Sequence, residues 1–432
     1  MQLIHQQAPG FPITNLYWLF PRTGSCLDPV HHRGLTRLVL RLLTSGAGGL
    51  SHAEFNGRME RLGASLGYGL ASDHFTLRLT TLTDNLDAAL ELFLLSFREP
   101  NFADEEFARL KEELISSWIA DREESKSLRA QEVYLGRSYR DGPQSYLPDG
   151  TLEGLGAITA GDVRPHFQDL LGRGEPLLAV LSDLGREEVE ARVARRMPEP
   201  PLREGLPHPW EAFAPQSNAA RRVTVIADRR TQTDEMLLGS FVTHERDPEW
   251  HIHRLIAMIF GGDMNSRLFR IVRGEHGYSY GASCWYESAH GRCPRDRVAP
   301  FSIYTFPAAE HTAQAVPLVL SLYEDFVAHG PTADELDRAQ RALVNSYPFT
   351  QDTPNKKLGL ALDRALYGIT LDDEATHREK LLAVTVDDMR RVLRATHRPE
   401  LATIVLLGEP ARLEPIAQAI PGVERLDVVE SP

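Results

Sequence analysis

Gly34-Leu35-Thr36-Arg37-Leu38-Val39-Leu40-Arg41-Leu42-Leu43 is the stretch around which the rest of the chain is read. Leu35, Leu38, Val39 and Leu42 recur at helical spacing, and a stripe this wide predicts a core helix. Arg37 and Arg41 lie one turn apart on a single face of it. Such a like-charged pair costs an isolated helix about 0.2 to 0.5 kcal/mol, so local helix physics gives no reason for it. Spacing alone leaves two accounts open: the face is solvated, or each guanidinium pairs with a carboxylate elsewhere. An unpaired buried charge is costly, so a carboxylate or anion is expected within reach of at least one of the two.

The approach to this helix reads Asp28-Pro29-Val30-His31-His32-Arg33-Gly34-Leu35-Thr36. It resembles the Asp-Pro-x-x-x-x-Gly-Leu-Ala stretch of the insulinase/pitrilysin-type zinc metallopeptidases, the inverted zincins that include mitochondrial-processing-peptidase-like proteins and carry H-x-x-E-H on such a helix. The resemblance places Arg37 and Arg41 at the two zinc histidines and Leu40 at the glutamate general base. Matching Asp104-Glu105-Glu106-Phe107 to the start of the family's acidic helix places the third ligand at Ser117, or at Ser116 if the register slips by one. A guanidinium has no lone pair for a metal, leucine cannot take a proton from water, and serine is not an ordinary zinc ligand. The resemblance therefore implies a degenerate member whose helix is kept and whose chemistry is gone, with no cofactor of its own.

A chain of 432 residues is long for one core, and 42% hydrophobic with 25% charged residues are globular values, so at least two domains are expected. A formal charge of −13 argues against nucleic acid as the main partner. No apolar run reaches the length of a membrane span, and the first residues, Met1-Gln2-Leu3-Ile4-His5-Gln6-Gln7, lack the marks of a secretory signal; a cytoplasmic, non-membrane protein is expected. Cys26, Cys284 and Cys293 read as free thiols, and Cys284, His290 and Cys293 lack the short-spaced pair of a structural metal site.

The two halves repeat. Phe107, Leu110, Leu114, Ile115 and Trp118 predict a long helix from Asp104, and Leu336, Ala339, Leu343, Val344 and Tyr347 repeat their spacing at an offset of 229 (336 − 107). Ala157-Ile158-Thr159-Ala160-Gly161-Asp162-Val163-Arg164 returns as Ala383-Val384-Thr385-Val386-Asp387-Asp388-Met389-Arg390 at 226 (383 − 157), and apolar strands follow at Leu177 to Leu181 and Thr403 to Leu407. Two patterns at nearly one offset predict two copies of one domain. We expect an α+β fold of two homologous domains, each a mainly antiparallel sheet with helices packed on one face. The boundaries are residues 1–197, a stiff proline-rich linker at 198–215, and residues 216–432. The resemblance implies the same architecture, with each chain half of a clamshell around a peptide. Two departures stand out: the stretch before Asp28 is shorter than the family's usual first strand, and Gly67 stands where the family's substrate-pairing strand has an asparagine.

Gly261-Gly262-Asp263-Met264-Asn265-Ser266-Arg267-Leu268-Phe269-Arg270-Ile271-Val272-Arg273-Gly274-Glu275-His276-Gly277-Tyr278-Ser279-Tyr280 is similar to the family's Gly-Gly-x-x-Ser-Arg-Leu-Phe-x-x-x-Arg-Glu-x-x-Gly-Leu-Ala-Tyr segment. From spacing alone, Arg267, Arg270 and Arg273 read as a solvated helix face and Tyr280 as a core strand residue. The resemblance makes Arg273 and Tyr280 a substrate-binding pair, and both can donate to a peptide carbonyl. It implies a non-catalytic subunit, inactive alone, of a heteromeric zinc peptidase, with peptide as substrate and a zinc-bearing homologous subunit as partner. Two other readings stay open: a homodimeric peptide-binding or scaffold protein, and a peptidase with a displaced metal site.

Overall fold

The computed structural model describes residues 1–203, 205–229, 232–290, 293–368 and 374–430. Its strands are β1 (Gln2–Gln7), β2 (Ile13–Pro21), β3 (Ser65–Leu70), β4 (His74–Leu82), β5 (Leu177–Ser182), β6 (Arg221–Ala227), β7 (Glu235–Thr243), β8 (Ser279–Tyr286), β9 (Ala299–Pro307), β10 (Thr403–Gly408) and β11 (Val423–Glu430). They form one sheet in the order β1-β5-β2-β4-β3 and a second in the order β11-β6-β10-β7-β9-β8. Apart from the added β11, the second order repeats the first strand for strand. In each copy the last strand of the repeat, β5 or β10, lies parallel to the copy's first strand, β11 adds a second parallel pairing to β6, and the remaining pairings are antiparallel. The shortened start does form a first strand: β1 lies parallel to β5, with Ile4 beside Ala179.

The period of two places Leu16, Trp18, Phe20, Leu77, Leu79, Leu178 and Val180 on the face that packs against the helices of the first copy. In the second copy Val223, Val225, Met236, Leu238, Ile404 and Leu406 do the same. Every residue of β5 and of β10 is buried, as expected of central strands covered on both sides.

What covers the second face comes from the other half of the sequence. Helix Pro354–Tyr367 sets Leu358 and Leu362 against Ala179, Leu181 and Tyr17 of the first sheet. Helix Lys126–Tyr139 lies on the second sheet, where the Tyr134 hydroxyl meets Ser302 Oγ at 2.9 Å. A β-carbon at Gly239 would collide with that phenol, so the sheet needs a glycine there. The first compact unit accordingly comprises Met1–Ala120, Tyr146–Phe213 and Phe349–Thr370, and the second comprises Asp121–Ser145, Ala214–Pro348 and Leu371–Pro432.

The proline-rich stretch read as a linker is tied to the first unit along much of its length. The Arg203 N–H donates to Gly172 O at 2.8 Å, and buried Trp210 donates its Nε1–H to Ser72 Oγ at 2.8 Å. Among the described residues no helix is long and apolar enough to cross a membrane.

Candidate functional site

Helix Leu35–Leu43 starts from a left-handed Gly34 (φ 108°), a conformation that side chains resist. Its open N–H groups are met by Asp28, which accepts from Gly34 N at 2.7 Å, Thr36 N at 2.8 Å and Thr36 Oγ1 at 2.6 Å. The carboxyl is fully buried, and burial pushes it up to about 7 against the pull of those three hydrogen bonds. His166 Nε2 stands 2.8 Å from the same threonine hydroxyl, and burial lowers its imidazole to about 4. Spacing could not reveal this Asp28–Thr36–His166 cluster, because His166 is 130 residues along the chain from Thr36.

Leu40 is buried in the first core. Arg41 forms an ion pair with Glu113 of helix Asp104–Glu124, and Arg109 holds the other oxygen of that carboxylate at 3.2 Å. Arg37, one turn earlier, has a buried Nη1 with no hydrogen-bond partner among the described residues. Ser117 is half-buried, one turn beyond Glu113 on the facing helix. The four positions thus present two cations, a hydrocarbon and a hydroxyl, a donor set that does not fit zinc. Among the described residues no group of three His, Cys, Asp or Glu side chains is placed to hold a metal ion. Cys26, Cys284 and Cys293 are buried thiols that form no disulfide among the described residues.

Edge strand β3 ends the first sheet. A β-carbon at Gly67 would meet nothing within 4 Å, so the missing asparagine leaves open space beside an unpaired backbone edge.

In the second unit, helix Trp250–Ala257 runs into a wide turn, Met258–Gly262, where Gly261 packs against the backbone of Cys284 too closely for a side chain. A second wide-turned segment, Phe269–Glu275, carries the arginines. The three do not share one solvated face. Arg267 forks onto Glu335 at 2.6 and 2.8 Å and lies over the Phe326 ring, and Arg270 pairs with Glu275. Arg273 has no ion pair among the described residues. Its guanidinium carbon sits 4.2 Å from the Tyr280 ring centroid and 4.8 Å from that of Phe269.

Tyr280 is 74% exposed, which corrects the spacing-based reading of a core residue. The cause is a register shift between Ser279 and Ala282 on edge strand β8, where an extra residue interrupts the alternation opposite β9. Ser279 stays buried and Tyr280 turns out beside Arg273. The structure therefore brings this pair together as a cation–π stack whose phenol lies open to solvent.

Comparison with known proteins places these geometries in context. A family model described as "Insulinase (Peptidase family M16)" matches residues 14–146, and one described as "Peptidase M16 inactive domain" matches residues 157–343. The chain is 20% identical over 395 residues to the non-peptidase homolog YmxG of Helicobacter pylori, covering 91% of this chain and 88% of that protein. It is 22% identical over 396 residues to an uncharacterized zinc protease of Streptomyces coelicolor, covering 90% and 84%. Among solved structures it is similar to a peptidase M16 inactive domain from Pseudomonas fluorescens, with TM-score 0.81, 22% identity and coverage of 94% and 95%. It is also similar to a protease from Helicobacter pylori, with TM-score 0.79, 15% identity and coverage of 94% and 96%.

Proposed function

The chain belongs to the insulinase (M16) peptidase family as a degenerate member, and from that premise we propose that it is the zinc-less subunit of a heteromeric peptidase. In this reading it forms half of the peptide chamber and orients the substrate through Arg273 and Tyr280, while a homologous partner subunit carries the zinc. The observation that carries the reading is the pair itself. Of three arginines in one segment, Arg267 and Arg270 are neutralised by carboxylates, and Arg273 is left to a phenol that lies open to solvent. A guanidinium and a phenol side by side offer convergent donors to one carbonyl oxygen, the arrangement that stabilises a developing oxyanion. Edge strand β3, with Gly67 leaving room beside it, suits an extended peptide added to the first sheet.

The test is steady-state kinetics of the complex reconstituted with the zinc-bearing subunit. Tyr280→Phe and Arg273→Ala should each leave assembly intact and lower turnover, since removing one oxyanion donor costs about 2.7 to 4 kcal/mol, about a hundredfold or more. Unchanged turnover in both variants would overturn the substrate-orienting role and favour the homodimeric scaffold.

A further inference from the structure

A second group of cations lies in the second unit, on elements other than those that carry Arg273 and Tyr280. The face of the sheet that carries helix Lys126–Tyr139 has a cavity of about 240 Å³ at its parallel edge. Three strands and the end of that helix build it. Parallel pairing sets Arg425 of β11 beside Arg222 of β6, which is itself beside Thr403 of β10; the next row on this face brings Asp427 beside Thr224. Arg137 and Arg140 reach in from the helix C-terminus.

Fold stability does not ask for this arrangement. Like charges placed opposite each other across a strand pair are destabilising. Arg140 adopts φ 53° and ψ −114°, a backbone conformation ordinarily left to glycine, so its guanidinium is held at a conformational cost. The first unit supplies a direct comparison, because its sheet has the same strand order: the residues equivalent to Arg222 and Thr403 there are Gln2 and Leu177. The cluster exists only where β11 has been added, and β11 brings Arg425 and Asp427.

Its charge is not balanced from within. Four guanidiniums line the cavity against the carboxylates of Asp141 and Asp427, in a chain of formal charge −13. Asp427 accepts from Arg425 Nε at 2.9 Å and stands 3.9 Å from Arg137. Among the described residues, the Arg140 side chain donates only to the neutral amides of Gln216 and Asn218, at 2.7 and 3.3 Å. The nearest carboxylate to Arg222 Nε is Glu424 at 3.9 Å, beyond hydrogen-bond reach. The Nε atoms of Arg140 and Arg222 are both buried with no hydrogen-bond partner among the described residues.

We propose that this cavity binds a phosphate group, with Arg222, Arg425, Arg137 and Arg140 as its cationic wall and Thr224 and Thr403 as hydroxyl donors. The surplus of two positive charges matches a phosphate dianion, and guanidinium forks suit its oxygens. The volume falls below the roughly 300 Å³ at which drug-sized ligand sites begin, which selects free phosphate or a small phosphate monoester. The site belongs to the second unit alone and is independent of the peptide reading.

Calorimetric titration of the full chain tests it, using inorganic phosphate and ribose 5-phosphate at constant ionic strength in chloride. Saturable binding is expected for at least one, weakened at least tenfold by Arg222→Gln combined with Arg425→Gln. Tighter binding of the ester would identify a phosphorylated small molecule as the ligand, and equal binding would identify free phosphate. The single variants Arg137→Gln and Arg425→Gln, both at exposed side chains, carry the same test if the double variant fails to fold. No saturable heat with either probe, or binding unchanged in folded variants, would overturn the proposal.

Discussion

The two arginine-bearing segments of this chain, Leu35–Leu43 and Gly261 to Tyr280, began from similar sequence signals and came to different ends. In the first, Leu40 is sealed in the core, Arg41 is tied to Glu113 through its terminal nitrogen with its Nε unmatched, and Arg37 keeps an unmatched Nη1 and no ion pair among the described residues. In the second, Arg267 and Arg270 are tied down, and Arg273 is paired with an exposed aromatic ring. A cation spaced at a helical turn says nothing by itself about function. What it faces decides: a carboxylate makes it part of the scaffold, while a phenol open to solvent leaves its donors for a ligand.

The first way to press on this difference is Asp28→Ala, which attacks the scaffold of the first segment alone. It would orphan the buried N–H groups of Gly34 and Thr36, while the Thr36 hydroxyl keeps His166 Nε2, and a lost cap with buried unpaired donors costs about 3 kcal/mol. Urea unfolding should register that loss. A cost below about 1 kcal/mol would mean that the cap does not hold the helix.

Acid separates the segments next. Burial lowers His253, on the helix Trp250–Ala257 that leads to the second segment, to about 4, and lowers His397, its stacked neighbour, well below its ordinary value. The unfolded chain binds protons on these rings near pH 6.5, so their contribution is full above that pH and is lost as pH falls toward 4, about 2 kcal/mol for His253 by pH 5. His166 behaves in the same way in the first segment, but Asp28, raised to about 7, opposes it. Its contribution is present below about 3.8 and is lost as pH rises through 7, so acid restores what His166 gives up. Hydrogen exchange corrected for intrinsic rates should therefore show helix Trp250–Ala257 losing more protection than Leu35–Leu43 between pH 7 and 5. Equal losses would contradict this compensation.

The smallest effects fall on the arginines of the first segment. Arg41→Ala removes a partly exposed ion pair worth about 0 to 1 kcal/mol. Arg37→Leu removes a buried donor without a partner, so we expect an unchanged or slightly raised unfolding midpoint. A fall of about 2 kcal/mol or more on Arg37→Leu would mean that this side chain is structural after all.

Much of the fold was legible because hydrophobic periodicity records which face of an element is buried. It gave the helix at Leu35, the long helix from Asp104, the strands at Leu177 and Thr403, and the repeat that the two sheets display. Periodicity does not record which sheet receives that face, so the exchange of helices Lys126–Tyr139 and Pro354–Tyr367 between sequence halves could not be read. Arg273 and Tyr280 came from a motif resemblance. The bulge that exposes Tyr280 and the phenylalanine beneath Arg273 are properties of β8 register and of the wide turn, which local spacing does not encode. The arginines of the proposed phosphate site escaped notice because two strands and a helix distant in sequence contribute them.

The claim that the family's fold persists here without its zinc chemistry is tested most directly by metal analysis of the purified chain after incubation with excess zinc and removal of the free ion. With Arg37, Leu40, Arg41 and Ser117 in place of ligands and base, no stoichiometric zinc should remain and no peptide should be cleaved by the chain alone. About one chelator-sensitive zinc per chain, accompanied by peptide cleavage, would contradict the account.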